Sequence, residues 1–356
     1  MPTGGPLPAP VPGAESGVRL PPGFAVQRVL GGQDGPVAVA FDPSSGAAFV
    51  AEEGGSGEIL RLRTSGAPAT VAAGGFPLPI GGIVARDGVV DVAAGGAILQ
   101  VPQRGGTRKP LAVGMRGPVT GLVATASGRL FVGVTGTGHV ATLPWAGGPP
   151  MVAAAGLGTP TGLALSGGGA HLYVVADNAG SDEIVRIRPN DAPDNPRQVV
   201  ATLPAAAAAA GIAVAPPGPF GPAGTLYVAV SGGIDAVDPA TGAVRPFLVS
   251  AGAGGPRRPA GIAFSPNGRS LLIADVGATF ASVPLPLTGA VWEVSASRAA
   301  AVPAIQVSPA PGPQNKARPL PPPSAWYRHP DALLGGAAVL VVLAAVLLAQ
   351  FRRRRV

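Results

Sequence analysis

Six copies of one apolar motif recur through the middle of the chain, and no other feature restricts its fold as tightly. The copies read Pro36-Val-Ala-Val-Ala-Phe41, Ile80-Gly-Gly-Ile-Val84, Pro118-Val-Thr-Gly-Leu-Val123, Pro160-Thr-Gly-Leu-Ala-Leu165, Gly211-Ile-Ala-Val214 and Pro259-Ala-Gly-Ile-Ala-Phe264. A turn and a second apolar run follow each, at 48–51, 89–93, 130–134, 172–176, 226–230 and 271–274. Third runs come next: GEILRL (57–62), GAILQV (96–101), GHVATL (138–143), DEIVRI (182–187), GGIDAV (232–237) and GAVWEV (289–294). Their alternation of apolar and variable positions is that of a half-buried strand. Fourth runs close five repeats, as ATVAAG, KPLAVG, PMVAAAG, RQVVATL and RPFLVSAG, but the sixth lacks one. A matching run stands instead ahead of the first repeat, at Phe24–Leu30.

Four-stranded blades set in a ring leave few exposed edges, and an N-terminal strand that completes the last blade closes the ring. The predicted fold is therefore all-β: a six-bladed propeller over 20–302, closed by its N-terminal strand. A repeat of about 40 residues suits a blade and exceeds a solenoid turn. A β-sandwich is the runner-up, but it does not account for six similar modules. Gly (55) and Pro (43) exceed a quarter of the 356 residues, a level met in disordered chains and in turn-rich β-folds. An apolar content of 47% decides for the folded reading. Residues 1–19 read as a disordered Pro/Gly-rich lead.

The C-terminal end has a different character. From Ala332 to Phe351 the chain runs ALLGGAAVLVVLAAVLLAQF without a charge. At about 1.5 Å per residue, twenty residues match the hydrocarbon thickness of a bilayer, so 332–351 is predicted to be a single transmembrane helix. Trp326, Tyr327 and Arg328, with His329, form the predicted interfacial belt. The Pro-rich stretch 303–331 is the linker that leads to it. Arg352, Arg353, Arg354 and Arg355, in the basic tail 352–356, favour the cytoplasmic side. This orientation puts the propeller outside the cytoplasm, on a single-pass membrane protein whose lipid partner is met through the helix. The opening MPTGGPLPAPVPG has neither the basic start nor the apolar core of a signal peptide. Two readings follow: an export signal upstream of Met1, which is favoured, or a tail-anchored protein with its propeller inside. A cleaved C-terminal sorting signal is a minor third.

The same tail accounts for the charge. Of the net +7, four positives belong to Arg352–Arg355, which leaves no basic cluster for a nucleic acid, and none is expected as a partner. With no cysteine, disulfides, thiolate nucleophiles and Cys-ligated metals are excluded.

Residues 20–62, LPPGFAVQRVLGGQDGPVAVAFDPSSGAAFVAEEGGSGEILRL, resemble the first blade of the soluble PQQ-dependent sugar dehydrogenases of the glucose and sorbosone type. The later blades are similar to the wider group of six-bladed propellers with NHL repeats and gluconolactonases. The first resemblance implies PQQ, calcium and a catalytic His just before an early inner strand; here that place holds Pro118. It also implies basic and amide residues around the quinone, for which Arg61, Arg186, Arg257 and Arg258 are the available cations. The second implies a divalent metal held from the first blade and from beside later inner-strand glycines. Asp34 can fill the first place, but Thr161 and Ala260 stand beside Gly162 and Gly261. Of the three histidines, His139, His171 and His329, none has a Ser and an Asp in a sequence context that suggests a triad.

One constellation remains. Directly after the second strands come Glu52, Thr135, Asp177, Ser231 and Asp275, with Glu53 and Asn178 adjoining. Equivalent positions in successive blades lie on one face of the ring, so these residues are candidates for binding a cation, a sugar, a peptide or a protein. The competing reading is turn capping, which Asp, Asn and Ser perform at strand ends. A non-catalytic, membrane-anchored binding propeller is the leading expectation. A divergent PQQ-dependent sugar dehydrogenase and a metal-dependent lactonase-like hydrolase are its alternatives.

Overall fold

A computed structural model describes residues 17–62, 69–189, 196–250, 254–280 and 283–296. The predicted linker, belt, span and Arg tail lie outside the described residues. Among the described residues no helix is long and apolar enough to cross a membrane.

The six repeats form six antiparallel sheets, and within each repeat the strands run in chain order from the inside outwards. Blade one contains Pro36–Phe41, Ala48–Glu52, Glu58–Arg61 and Thr70–Gly74, and the next four blades repeat the pattern. In blade six, Pro259–Phe264, Ser270–Asp275 and Gly289–Ala296 are completed by Phe24–Gln33. The closing strand pairs along its length with Gly289–Ala296, from Phe24 opposite Ala296 to Gln33 opposite Gly289. The last blade is thus built from both ends of the propeller sequence. Val18–Arg19 adds a fifth strand to blade five, pairing with Val249 and Ser250. A two-stranded ribbon, Thr279–Phe280 with Val283–Pro284, lies in the connection between the second and third strands of blade six.

Packing follows from the period of two. Successive side chains of a strand point to opposite faces, and a blade in a ring has a neighbour on each face. In blade one, Phe49 and Ala51 enter a core shared with blade two, while Ala48 and Val50 enter a core shared with blade six. The described residues form six such cores, one at each junction between neighbouring blades. Second strands are consequently buried throughout, as in Ala48–Glu52 and Leu226–Val230, whereas outer strands such as Thr70–Gly74 face water. Each fully buried Phe, Ile, Leu or Val contributes roughly 1.5–3 kcal/mol of transfer free energy, spread evenly around the ring.

The recurrent glycines are set by the axis, where inner strands crowd together. A Cβ on Gly162 would lie 2.2 Å from the Ala210 carbonyl oxygen, and one on Gly211 would lie 2.1 Å from that of Ala260. The freed space admits a hydrogen bond between blades, from the Gly211 N–H to the Ala260 carbonyl at 2.7 Å. One apolar side chain per blade points to the axis: Val39, Ile83, Leu122, Leu163, Ile212 and Ile262. These six line both axial cavities and mark the level at which the two meet.

Candidate functional site

The cavity at the starts of the inner strands has a volume of about 220 Å³. Its described wall is mostly strand backbone, glycine and small side chains, with Glu53, Thr120 and Thr161 as the polar side chains. Both hydroxyls are committed. Thr120 Oγ1 donates to the Pro160 carbonyl at 2.7 Å and Thr161 Oγ1 to the Ala209 carbonyl at 3.0 Å, each bond tying one blade to the next. Glu53 Oε1 accepts the Ile80 N–H at 3.0 Å; burial pushes its carboxyl up while that bond holds it down. The Glu-Glu doublet at the end of a strand was the sequence signal, and its second member is the one that reaches the cavity.

Beside it, blade one concentrates negative charge. Glu52 and Glu58 are directly opposite on neighbouring strands, and the Asp34 carboxylate packs against the Gly54 Cα, where a side chain would collide with it. Glu52 is 7% exposed, and its Oε1 has no hydrogen-bond partner. Burial, then repulsion from Glu58 and Asp34, pushes its carboxyl up to about 7.

The other strand-end candidates occupy the same face of the ring but are held blade by blade. Thr135 Oγ1 donates to the Pro118 carbonyl at 3.1 Å. Asn178 Nδ2 donates to Glu183 Oε2 at 2.7 Å, while Asp177 and Ser231 are exposed. Asp275 is buried and accepts four donors: the N–H groups of Arg257, Arg258 and Gly277 and the indole N–H of Trp292. That carboxylate anchors a loop. Asp182 does the same for the Ala205–Ala210 connection, accepting the Ala209 N–H at 2.8 Å. None of Glu52, Thr135, Asp177, Asn178, Ser231 and Asp275 is among the described residues lining the 220 Å³ cavity.

The groups implied by resemblance fit poorly. Thr161 spends its oxygen on the next blade and Ala260 offers no side-chain oxygen, so Asp34 lacks two partners for a divalent cation. Among the described residues no group of three or more His, Asp or Glu side chains is placed to hold a metal. For PQQ, Pro118 supplies no base, and Arg61, Arg186, Arg257 and Arg258 are absent from the described lining of the cavity. His139 is half-buried against Thr137 Oγ1, with burial lowering its pKa, and His171 packs edge-on to Tyr173; neither lines the cavity.

No protein-family model matches the chain, and no curated protein matches it by sequence. Solved structures match it well in shape. A gluconolactonase from Xanthomonas campestris superposes with a TM-score of 0.63 at 17% identity, over 83% of this chain and 99% of that one. The PQQ-bound aldose sugar dehydrogenase of Streptomyces coelicolor gives 0.59 at 16% identity, over 78% and 100%. Regucalcin from Agrobacterium tumefaciens, a calcium-binding protein, gives 0.59 at 17%, over 80% and 98%. The groups that the sequence resembles are thus found among its structural neighbours, and the likeness establishes the six-bladed ring.

Proposed function

We propose that the protein is a membrane-anchored propeller that binds a ligand or partner outside the cytoplasm and has given up the chemistry of its structural neighbours. The observation that carries this reading is what occupies three positions to which the resemblance assigns chemistry. Pro118 stands at a base position, Thr161 is bonded into the ring, and Ala260 has no donor atom. The anchor is argued from the uncharged run 332–351 and the Arg tail. Full-length protein assayed with PQQ, calcium, an aldose panel, lactones and a redox dye is expected to give neither dye reduction nor lactone hydrolysis. Robust turnover in either assay overturns the binding reading. For the anchor, protease added to intact cells is expected to digest the propeller; protection until lysis contradicts the orientation.

One observation favours a second reading, an enzyme acting on sugars or lactones. Glu52, whose carboxyl burial raises to about 7, adjoins Glu53 on the cavity wall, and a protonatable carboxyl beside such a wall is a candidate general acid or base in a ring of the shape shared with a gluconolactonase and an aldose dehydrogenase. If turnover is found, Glu52→Gln is the variant expected to abolish it.

A further inference from the structure

The opposite end of the axis holds the larger cavity, about 570 Å³, bounded by the later halves of the inner strands and the turns beyond them. Its described lining is aliphatic and aromatic, with contributions from all six blades, and only Arg86, Asp87 and Thr125 carry polar side chains. Arg86 is singular among them. Its side chain is 11% exposed, bonds through Nε to the fully buried Asp91 at 2.7 Å, and places its guanidinium over the Trp145 ring at 4.2 Å. Nη2 is buried with no hydrogen-bond partner. Asp91 is held in turn by Gln100 at 2.8 Å, so the cation is fixed from behind by strands of blade two and from the side by blade three.

An unpartnered, desolvated donor is costly, and a group that restores its hydrogen bond gains what was lost. We propose that this chamber is a binding site for an uncharged, largely apolar molecule carrying one carbonyl oxygen, which Arg86 receives and Trp145 flanks. The apolar wall selects the body of the ligand by area removed from water. The charges select its neutrality. Arg86 is already paired with Asp91, so an added anion finds its counter-charge shared with a carboxylate, while an added cation meets the guanidinium. The site lies at the other end of the channel from the strand-start mouth, so it does not depend on the proposed function above.

The test uses nitrogen-15-labelled full-length protein and follows the indole N–H signal of Trp145, identified by its loss in Trp145→Phe. Cyclohexyl methyl ketone, cyclohexanecarboxylate and cyclohexylmethylamine present one apolar body with three heads. The ketone is expected to shift the Trp145 signal saturably, with affinity about tenfold above either charged analogue. In Arg86→Met/Asp91→Leu, which removes the pair together and leaves no buried charge, ketone affinity is expected to fall about tenfold. If that variant does not fold, Arg86→Lys keeps the charge but loses the planar fork, and is expected to weaken the ketone severalfold. No saturable shift in the wild type, tighter binding of carboxylate or amine, or unchanged ketone affinity in the variants overturns the proposal.

Discussion

Gly162 and Gly211 show how much of the ring is decided by the absence of an atom. A methyl group at either site collides with a backbone carbonyl of the next blade, which cannot swing aside as a side chain can. Gly162→Ala and Gly211→Ala are each expected to destabilise by about 1–3 kcal/mol in denaturant unfolding. Gly167→Ala, in a turn with nothing within 4 Å, is expected to be near neutral and serves as the control. Glu52 is a different kind of residue-scale feature. Its carboxyl is raised from 4.5 to about 7, so between those values the folded chain holds a proton that the unfolded chain has released. Stability from this group is therefore full below pH 4.5 and falls until about pH 7, by an amount on the order of 3 kcal/mol. Urea midpoints measured across that range should fall in the wild type and lose this component in Glu52→Gln. The repeat pattern marks Glu52 as a strand end, but its raised carboxyl comes first from burial and then from Glu58 and Asp34, all of which exist only once the strands pair.

Among the elements, the closing strand is the most consequential. Phe24–Gln33 was legible because the sixth repeat lacks an outer strand and an unassigned apolar run precedes the first. The second strands were legible as continuous apolar runs, since each is buried on both faces and tolerates no charge in its middle apart from paired Asp91, and the third strands as half-buried alternation. Val18–Arg19 left no comparable trace, because two residues carry no periodicity. Removing residues 1–33 is expected to expose the edge of Gly289–Ala296 and give an aggregating, non-cooperative protein. Removing residues 1–19 strips, among the described elements, the fifth strand of blade five and is expected to lower the urea midpoint slightly while keeping one cooperative transition. Size-exclusion chromatography with urea unfolding distinguishes the two outcomes.

At the scale of the whole molecule, the axis divides into two mouths of opposite chemistry. One is small, backbone-rich and flanked by the carboxylates of blade one; the other is large, apolar and lined by a single described cation, Arg86. Neither could be drawn from sequence. Arg86 and Trp145 belong to different repeats, and Glu53 reaches the channel while the six strand-end candidates do not, a distinction of side-chain direction within a shared face. What the sequence did carry is the departure of Pro118, Thr161 and Ala260 from the resembled pattern, which can be compared before any fold is known. The structure adds that Thr161 Oγ1 is used by the ring itself. A calorimetric titration of the full-length protein with calcium puts that reading to the proof. The expected result is no saturable heat; stoichiometric calcium binding that disappears in Asp34→Asn would show instead that a metal centre survives at the mouth and that the propeller remains equipped for chemistry.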